Sequence, residues 1–396
     1  MTSAALSQIK VIDLSHHIAG PYCTKLMAGF GAEVIKVEPP STGDALRRVG
    51  PFHKDIESVE TSIPFQWFNT GKKSVTLNLK SPRGADLLKR LVRDADVLVE
   101  NFAPRVMPGL GLDYETLSRV NPRLVMTSIS GFGQSGPYRD YEADEMQVEA
   151  LSGMMQVTGD PQRPPLKAGP AVVQYSGGLH AYSGTLMALL QRRVTGRGRH
   201  VDVSLMDCGL ENIEIVLSNF LQVGRTPKRG PGPMLPWGLY RCRDGYAAVL
   251  AMPQRHWRRA GEIFDDPRLF EDRFAHVLDR MKHRHEYDQM LEPCVRARSR
   301  KEIFEEGQAR RLAFGYLASP AEALESPQHA ARGFFAEIDH PVVGRHRQCG
   351  APFRMAATPW RAARAPLLGE HNDAVYGTAL GLGAAEIQGL RGEGVI

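Results

Sequence analysis

The residues whose types could do chemistry fall in two stretches of this 396-residue chain. One carries the acids Asp144, Glu145 and Glu149 ahead of Ser152-Gly153. The other, Pro165 to Asp207, carries Gln174-Tyr175-Ser176 and then Gly177, Gly178, Ser183 and Gly184. A carboxylate can attack an activated acyl carbon and carry it as a covalent intermediate, whereas a side-chain amide is a very poor nucleophile. Covalent chemistry around Gln174 would have to recruit an upstream acid, because no acid lies between Asp160 and Asp202. Tyr175 is a candidate hydrogen-bond donor to a developing oxyanion. His180 is a candidate base, although a helix histidine beside small residues more often packs or caps.

Positioning these groups calls for an α/β frame. Residues 170–173 read as a short apolar strand ending at Gln174. A helix follows with Leu179, Leu186, Met187 and Leu190 on an apolar stripe, closed by Arg192, Arg193 and Gly196. Residues 200–205 alternate as a strand. A strand-end turn before small residues is where α/β proteins place ligands. Upstream, residues 8–14, 32–38, 74–79, 96–99 and 124–130 read as strands, with a helix over 21–30. Ser81 is the N-cap of another helix, Pro82 its first residue, and Leu87, Leu88, Leu91 and Val92 its buried face. Such alternation predicts a parallel sheet covered by helices on both faces. The first turn, 15–20, has one glycine and lacks the dinucleotide fingerprint.

Composition shifts near residue 221. The Pro- and Gly-rich stretch 224–238 reads as a linker. Residues 238–242 and 247–251 flank Arg243-Asp244-Gly245 as a hairpin, and Ser299 with Glu302 forms a capping box. Two domains follow: a large one from residues 1–220 and 328–396, and a small one from 221–327.

A hydrophobic content of 42% supports a sizeable core. The formal charge of +5 is spread along the chain, and its local clusters, such as Arg255, Arg258 and Arg259, read as solvated helix faces. Nucleic acid is therefore not an expected partner, while a ligand with several phosphates suits the mild basic balance. The five cysteines stand singly, so neither a disulfide framework nor a metal site is expected. No charged-then-apolar leader opens the chain and no apolar run could span a bilayer, so a cytoplasmic protein without a membrane partner is expected.

Several motifs together resemble one family. They are HHIAGP at 16–21, the pattern carried by Asn69, Lys72, Ser74, Leu77, Asn78 and Lys80, Asn101-Phe102, GFGQSGPY at 131–138, PPL at 164–166, TGRG at 195–198 and VDVS at 201–204. The chain closely resembles, over essentially its whole length, the class III CoA-transferases, which include formyl-CoA and carnitine CoA-transferases and 2-methylacyl-CoA racemases. The resemblance implies a large Rossmann-like domain whose parallel sheet is formed by N- and C-terminal parts, a smaller α+β domain and an interlocked dimer. It implies a coenzyme A thioester as substrate, with no permanently bound cofactor and no metal. The coenzyme would be lined by His17, Ile18, Ala19, Leu77, Lys80, Asn101, Phe102, Gly133 and Tyr138, with Lys80 near phosphate and Phe102 near the adenine or pantetheine. Two family arginines are replaced, by Gly109 and by the Pro39-Pro40 pair, which leaves Arg47, Arg48 and Arg105 as candidate phosphate contacts. The acyl pocket would draw on Trp67, Tyr138, Met146, Met154, Met155 and Trp237.

In that family the residue aligned with Gln174 is an aspartate that attacks the acyl thioester, and the racemase histidine falls on Asp144. Racemisation is thereby disfavoured. The expected reaction transfers CoA from an acyl-CoA, such as succinyl-CoA, to a free carboxylic acid. Three readings of Gln174 stay open. The chain is the aspartate-lacking subunit of a heteromeric transferase whose paralogous partner bears the aspartate; or it acts alone, as a homodimer, by a non-standard mechanism; or it binds acyl-CoA without catalysis.

Overall fold

The computed structural model describes residues 4–226, 229–230, 235–251 and 253–396. Six strands, Lys10–Asp13 (β1), Glu33–Glu38 (β2), Lys73–Thr76 (β3), Val97–Glu100 (β4), Val125–Ser130 (β5) and His200–Ser204 (β6), form one parallel sheet in the order β3-β2-β1-β4-β5-β6. Val11, Val34, Val97 and Val125 pack on one face; Ile12, Ile35, Leu98 and Met126 pack on the other. Burial on both faces is why these strands are near-continuous apolar runs. The helices that matter for the site are Ala19–Gly29 (α1), Pro82–Arg93 (α2), Glu145–Leu151 (α3) and Val172–Thr195 (α4). Ser81 caps α2 by accepting from the Gly84 N–H at 2.9 Å, and Leu87, Leu88, Leu91 and Val92 are buried.

The structure corrects the expectation around Gln174. Residues 170–173 are not a strand; α4 begins at Val172 and runs 24 residues. The cause lies 28 residues upstream in the chain: the Glu145 carboxylate accepts from the backbone N–H of Val173 at 2.8 Å and of Gln174 at 3.0 Å. It satisfies two donors that a helix start leaves open and puts negative charge at the positive end of the helix dipole.

Most of the apolar stripe is also reversed: Leu186 packs against the core, but Leu179, Met187 and Leu190 are 45%, 64% and 61% exposed while Gly177, Gly178, Ala181, Thr185 and Ala188 are buried. Small residues let α4 approach α1 and the end of the sheet closely. A Cβ on Gly178 would stand 2.7 Å from the Ala19 carbonyl oxygen, and one on Gly177 2.3 Å from the Leu205 side chain. Gly178→Ala is therefore expected to destabilise the protein by about 1–3 kcal/mol through overpacking, despite the better helix propensity of alanine. The urea midpoint checks this, and an unchanged midpoint would mean that α4 can slide to make room.

The C-terminal residues join the same unit without adding a strand to the sheet. Asn372 accepts from the Thr76 N–H at 2.9 Å and donates to Thr76 Oγ1 at 2.8 Å, and the Tyr376 hydroxyl donates to the Thr76 carbonyl at 2.7 Å. These contacts cover the edge strand β3. Val375, Tyr376, Ile387, Leu390 and Val395 complete the core on the α2 face.

The chain divides into two compact units, residues 1–228 with 333–396, and residues 229–332. In the second, Trp237–Cys242 (β7), Gly245–Leu250 (β8) and Gly315–Tyr316 (β9) form an antiparallel sheet. Helices over Gln254–Phe264, Arg284–Arg296 and Arg300–Ala309 accompany it, with Trp257, Phe264, Phe274, Tyr287 and Leu291 in the core. The Ser299 and Glu302 capping box is present. The linker expected over 224–238 lies in part outside the described residues. Among the described residues no helix is long and apolar enough to cross a membrane.

Candidate active site

The carboxyl ends of β1, β2 and β4 meet at the turn 15–18, and buried charges hold it. Asp13, the last residue of β1, is fully buried and accepts from the Ser15 N–H at 3.0 Å, Thr24 Oγ1 at 2.7 Å and Lys72 Nζ at 2.9 Å. Burial works against ionisation of Asp13, but the Lys36 and Lys72 ammoniums outweigh it and hold the carboxyl well below the usual range. Burial in turn brings the Lys72 ammonium down to about 8, against the pull of Asp13. Lys36 Nζ donates to the Ser15 carbonyl at 2.7 Å and pairs with Asp44 at 2.8 Å. From the other side Asn101 clips the turn, accepting from the His16 N–H and donating to the His16 carbonyl, both at 2.8 Å. His17 is thereby held at φ 62°, in the left-handed region.

Two cavities flank this turn. One, of about 640 Å³, is lined by His16, Pro39, Pro40, Leu77, Asn78, Lys80, Phe102 and neighbours. The other, of about 600 Å³, is lined by His17, Ile18, Ala19, Asn101, Glu145, Met146, Lys167, Gln174 and neighbours. The expected ligand residues thus divide: Leu77, Lys80 and Phe102 face the first, and His17, Ile18, Ala19 and Asn101 face the second with Gln174. Gly133 and Tyr138 line neither. The loop they belong to is tied to β6 instead, the Gln134 N–H donating to both carboxylate oxygens of Asp202 at 3.1 and 3.0 Å. Tyr138 is exposed and stacks on Tyr141 at 5.1 Å. Of the expected acyl-pocket residues, Met146 lines the second cavity, while the Trp67 ring lies under the Lys25 ammonium at 4.0 Å.

Gln174 sits in the first turn of α4, half-buried, and its carboxamide makes no hydrogen bond among the described residues. The nearby acids are engaged. Asp144 caps α3, accepting from the Glu145 N–H at 2.7 Å. Glu145, 7% exposed, spends both oxygens on the start of α4, and burial pushes its carboxyl above the ordinary range although those two N–H groups work the other way. Glu149 is fully buried, accepts from the Ala168 N–H at 2.8 Å and lies 3.5 Å from Lys167 Nζ.

Other candidates are displaced for physical reasons. Successive helix residues point about 100° apart, so with Gln174 toward the cavity Tyr175 packs against Tyr22 at 4.9 Å and Phe68 at 5.6 Å. It lines neither cavity. His180 pairs with Glu211 at 3.0 Å on the surface. Arg47 is buried, held by Glu38 at 2.7 Å and Glu60 at 2.9 Å over the Phe65 ring, so it cannot reach a phosphate. Arg105 pairs with Glu142 at the surface and lines neither cavity. Lys80 is the exposed cation on the first cavity.

One residue had no signal in the sequence beyond a polar strand exit. Glu100, the last residue of β4, is buried and accepts from the Phe102 N–H at 2.8 Å. Burial pushes its carboxyl up to about 7, with Asp202 adding to the rise and Ser128 and the Phe102 N–H opposing it.

A profile of CoA-transferase family III matches residues 6–372. The chain is 33% identical over 417 aligned residues to the formyl-CoA:oxalate CoA-transferase of Streptomyces coelicolor, covering 100% of each chain. It is 34% identical over 376 to the succinate–glutarate CoA-transferase of Agrobacterium fabrum, covering 92% of this chain and 93% of the other. Its fold matches a CaiB/BaiF family protein from Brucella suis with a TM-score of 0.85 at 30% identity, covering 95% and 99% of the two chains.

Proposed function

The chain belongs to CoA-transferase family III, and from that premise we propose that it takes part in moving CoA from an acyl-CoA to a free carboxylic acid as the subunit without the attacking carboxylate. The observation that carries this reading is the wall of the second cavity. Gln174 stands where the family resemblance puts the nucleophile, and the three neighbouring acids are already engaged, Asp144 and Glu145 at helix starts and Glu149 with the Ala168 N–H. The division of the cleft suits a long ligand, with the nucleotide end beside Lys80 and Phe102 and the thioester end beside Asn101 and Gln174. By the family's chemistry, a carboxylate attacks the thioester carbonyl carbon, the C–S bond breaks, and CoA leaves as thiolate. The thiolate then attacks the enzyme acyl carbon of the mixed anhydride, releasing the donor acid and leaving an enzyme thioester. The acceptor carboxylate attacks that thioester, and the returning thiolate takes the acceptor acyl group and frees the enzyme carboxylate.

An aspartate-bearing paralogue would supply the missing carboxylate. The exposed apolar side chains Leu179, Met187, Leu190 and Val194 on α4, together with Ile215, Phe220 and Leu221, support association with such a subunit. A second reading is favoured by one observation: Glu145 lines the same cavity, so a homodimer could use it as a relocated nucleophile.

The test presents succinyl-CoA and a panel of carboxylic acids to the purified chain and follows new thioesters by mass. CoA binding without transfer, followed by transfer once an aspartate-bearing paralogue is added, is the expected result. Transfer by the chain alone, with hydroxylamine trapping Glu145, would replace it with the second reading. Failure to bind any acyl-CoA would refute both.

A further inference from the structure

Between the two cavities runs the pair Asn101-Phe102, one side chain facing each. This pair continues directly from β4, whose last residue, Glu100, is 3% exposed. The Glu100 carboxylate turns back on its own chain to accept the Phe102 N–H at 2.8 Å. In the sheet register Glu100 stands opposite Ser128 of β5, which stands opposite Asp202 of β6. The Ser128 hydroxyl is 2.8 Å from His200 Nε2, and the His200 ring stacks on Tyr114 at 5.2 Å. Glu100 has no ion pair to a cation among the described residues, so its charge rests on hydrogen bonds alone, with an acid, Asp202, as its charged neighbour.

We propose that Glu100 is a positioning residue: by holding the Phe102 N–H it keeps the wall shared by the two cavities in the shape that binds coenzyme A. This inference rests on the reading of the cleft as a coenzyme A site. A hydrogen bond to an ionised acceptor is roughly twice as strong as one to a neutral acceptor. The ionised Glu100 therefore holds the turn, and protonation loosens it. The carboxyl is buried and titrates close to neutrality, so the affinity for coenzyme A weakens as pH falls through 7. The titratable groups around it are Asp202 and His200 across the strands and His16, whose ring centroid is 5.6 Å from that of Phe102.

The experiment is the Kd of CoA for the full chain between pH 5.5 and 8.5, for wild type and Glu100→Gln. Glutamine keeps an oxygen for the Phe102 N–H and removes the charge. Wild type is expected to lose affinity by about fivefold on the acid side. The variant is expected to sit near the acid-side value at every pH, with a thermal midpoint that does not track this change. An identical pH profile in wild type and variant would assign the dependence to a group other than Glu100 and overturn the proposal, as would a wild-type Kd without pH dependence. Absence of CoA binding by wild type at every pH would instead remove the coenzyme A reading itself, and Phe102→Ala reports on that reading separately, since it should weaken CoA binding without changing the shape of the pH profile.

Discussion

Gln174→Asp is expected to turn the isolated chain from silent to active in CoA exchange, with a rate at least about a thousandfold above the wild-type background. Removing the nucleophile of a covalent mechanism costs on the order of a million-fold, and a carboxylate restored at the same place should recover a large part of that. The site is prepared for it. The position lies in the first turn of α4 and faces the second cavity, and its carboxamide has no hydrogen bond to break among the described residues. The new carboxylate would stand near Glu145, and two neighbouring carboxyls do not both ionise easily. Burial already pushes the Glu145 carboxyl upward, so a second carboxylate beside it works further against ionisation of Glu145. Gln174→Asn, which has the same length as the aspartate without the charge, should stay silent. Mass detection of an acyl or CoA adduct at position 174 checks the covalent step. A silent aspartate variant that still binds CoA would show that this position is not aimed at the thioester, and the subunit reading would lose its premise.

Asp13→Ala is expected to destabilise the large unit by about 3–5 kcal/mol, the usual range for removing one partner from a buried ion pair. The loss strands Lys72, 2.9 Å away, and weakens the setting of Lys36, 4.0 Å away, both buried. It also removes the acceptor of the Ser15 N–H and of Thr24 Oγ1. Urea unfolding measures the change, and a cost under about 1 kcal/mol would mean that water enters to solvate the two ammoniums. The same residue sets a pH dependence. The folded-state pKa of Asp13 is depressed, so its contribution is fully present above the unfolded carboxylate value, near about 4, and is lost as pH falls below it. Wild-type stability should therefore fall more steeply than that of Asp13→Asn as pH drops from about 4 to 2.

Much of this molecule was legible along the chain because the deciding interactions are local. The strand–helix alternation, the Ser81 cap with Pro82, the hairpin at Arg243-Asp244 and the capping box at Ser299 depend on residues within a few positions of one another. The placement of Asn101-Phe102 at a strand end is of the same kind, since the apolar run of β4 must stop where polar residues begin.

What the linear pattern could not carry are the effects made by distant partners. Residues 170–173 look like a strand, and a carboxylate on another helix is what holds Val173 and Gln174 in the first turn of α4. Arg47 looks like a free cation until Glu38 and Glu60 close on it. Tyr175 looks like a companion of Gln174 until the helix turns it toward Tyr22. Leu179, Met187 and Leu190 of α4 look like part of its buried face, yet they are exposed, and where α4 comes close to α1 the buried position is Gly178. Sequence alone determined the family, the parallel α/β frame and the absence of a carboxylate at position 174. Tertiary structure decided which acids are occupied, which cations are spent and which side chains face the cleft. The physical reason is that hydrogen bonds and ion pairs are settled by distances of about 3 Å between groups, and chain separation carries no information about those distances once the backbone has folded.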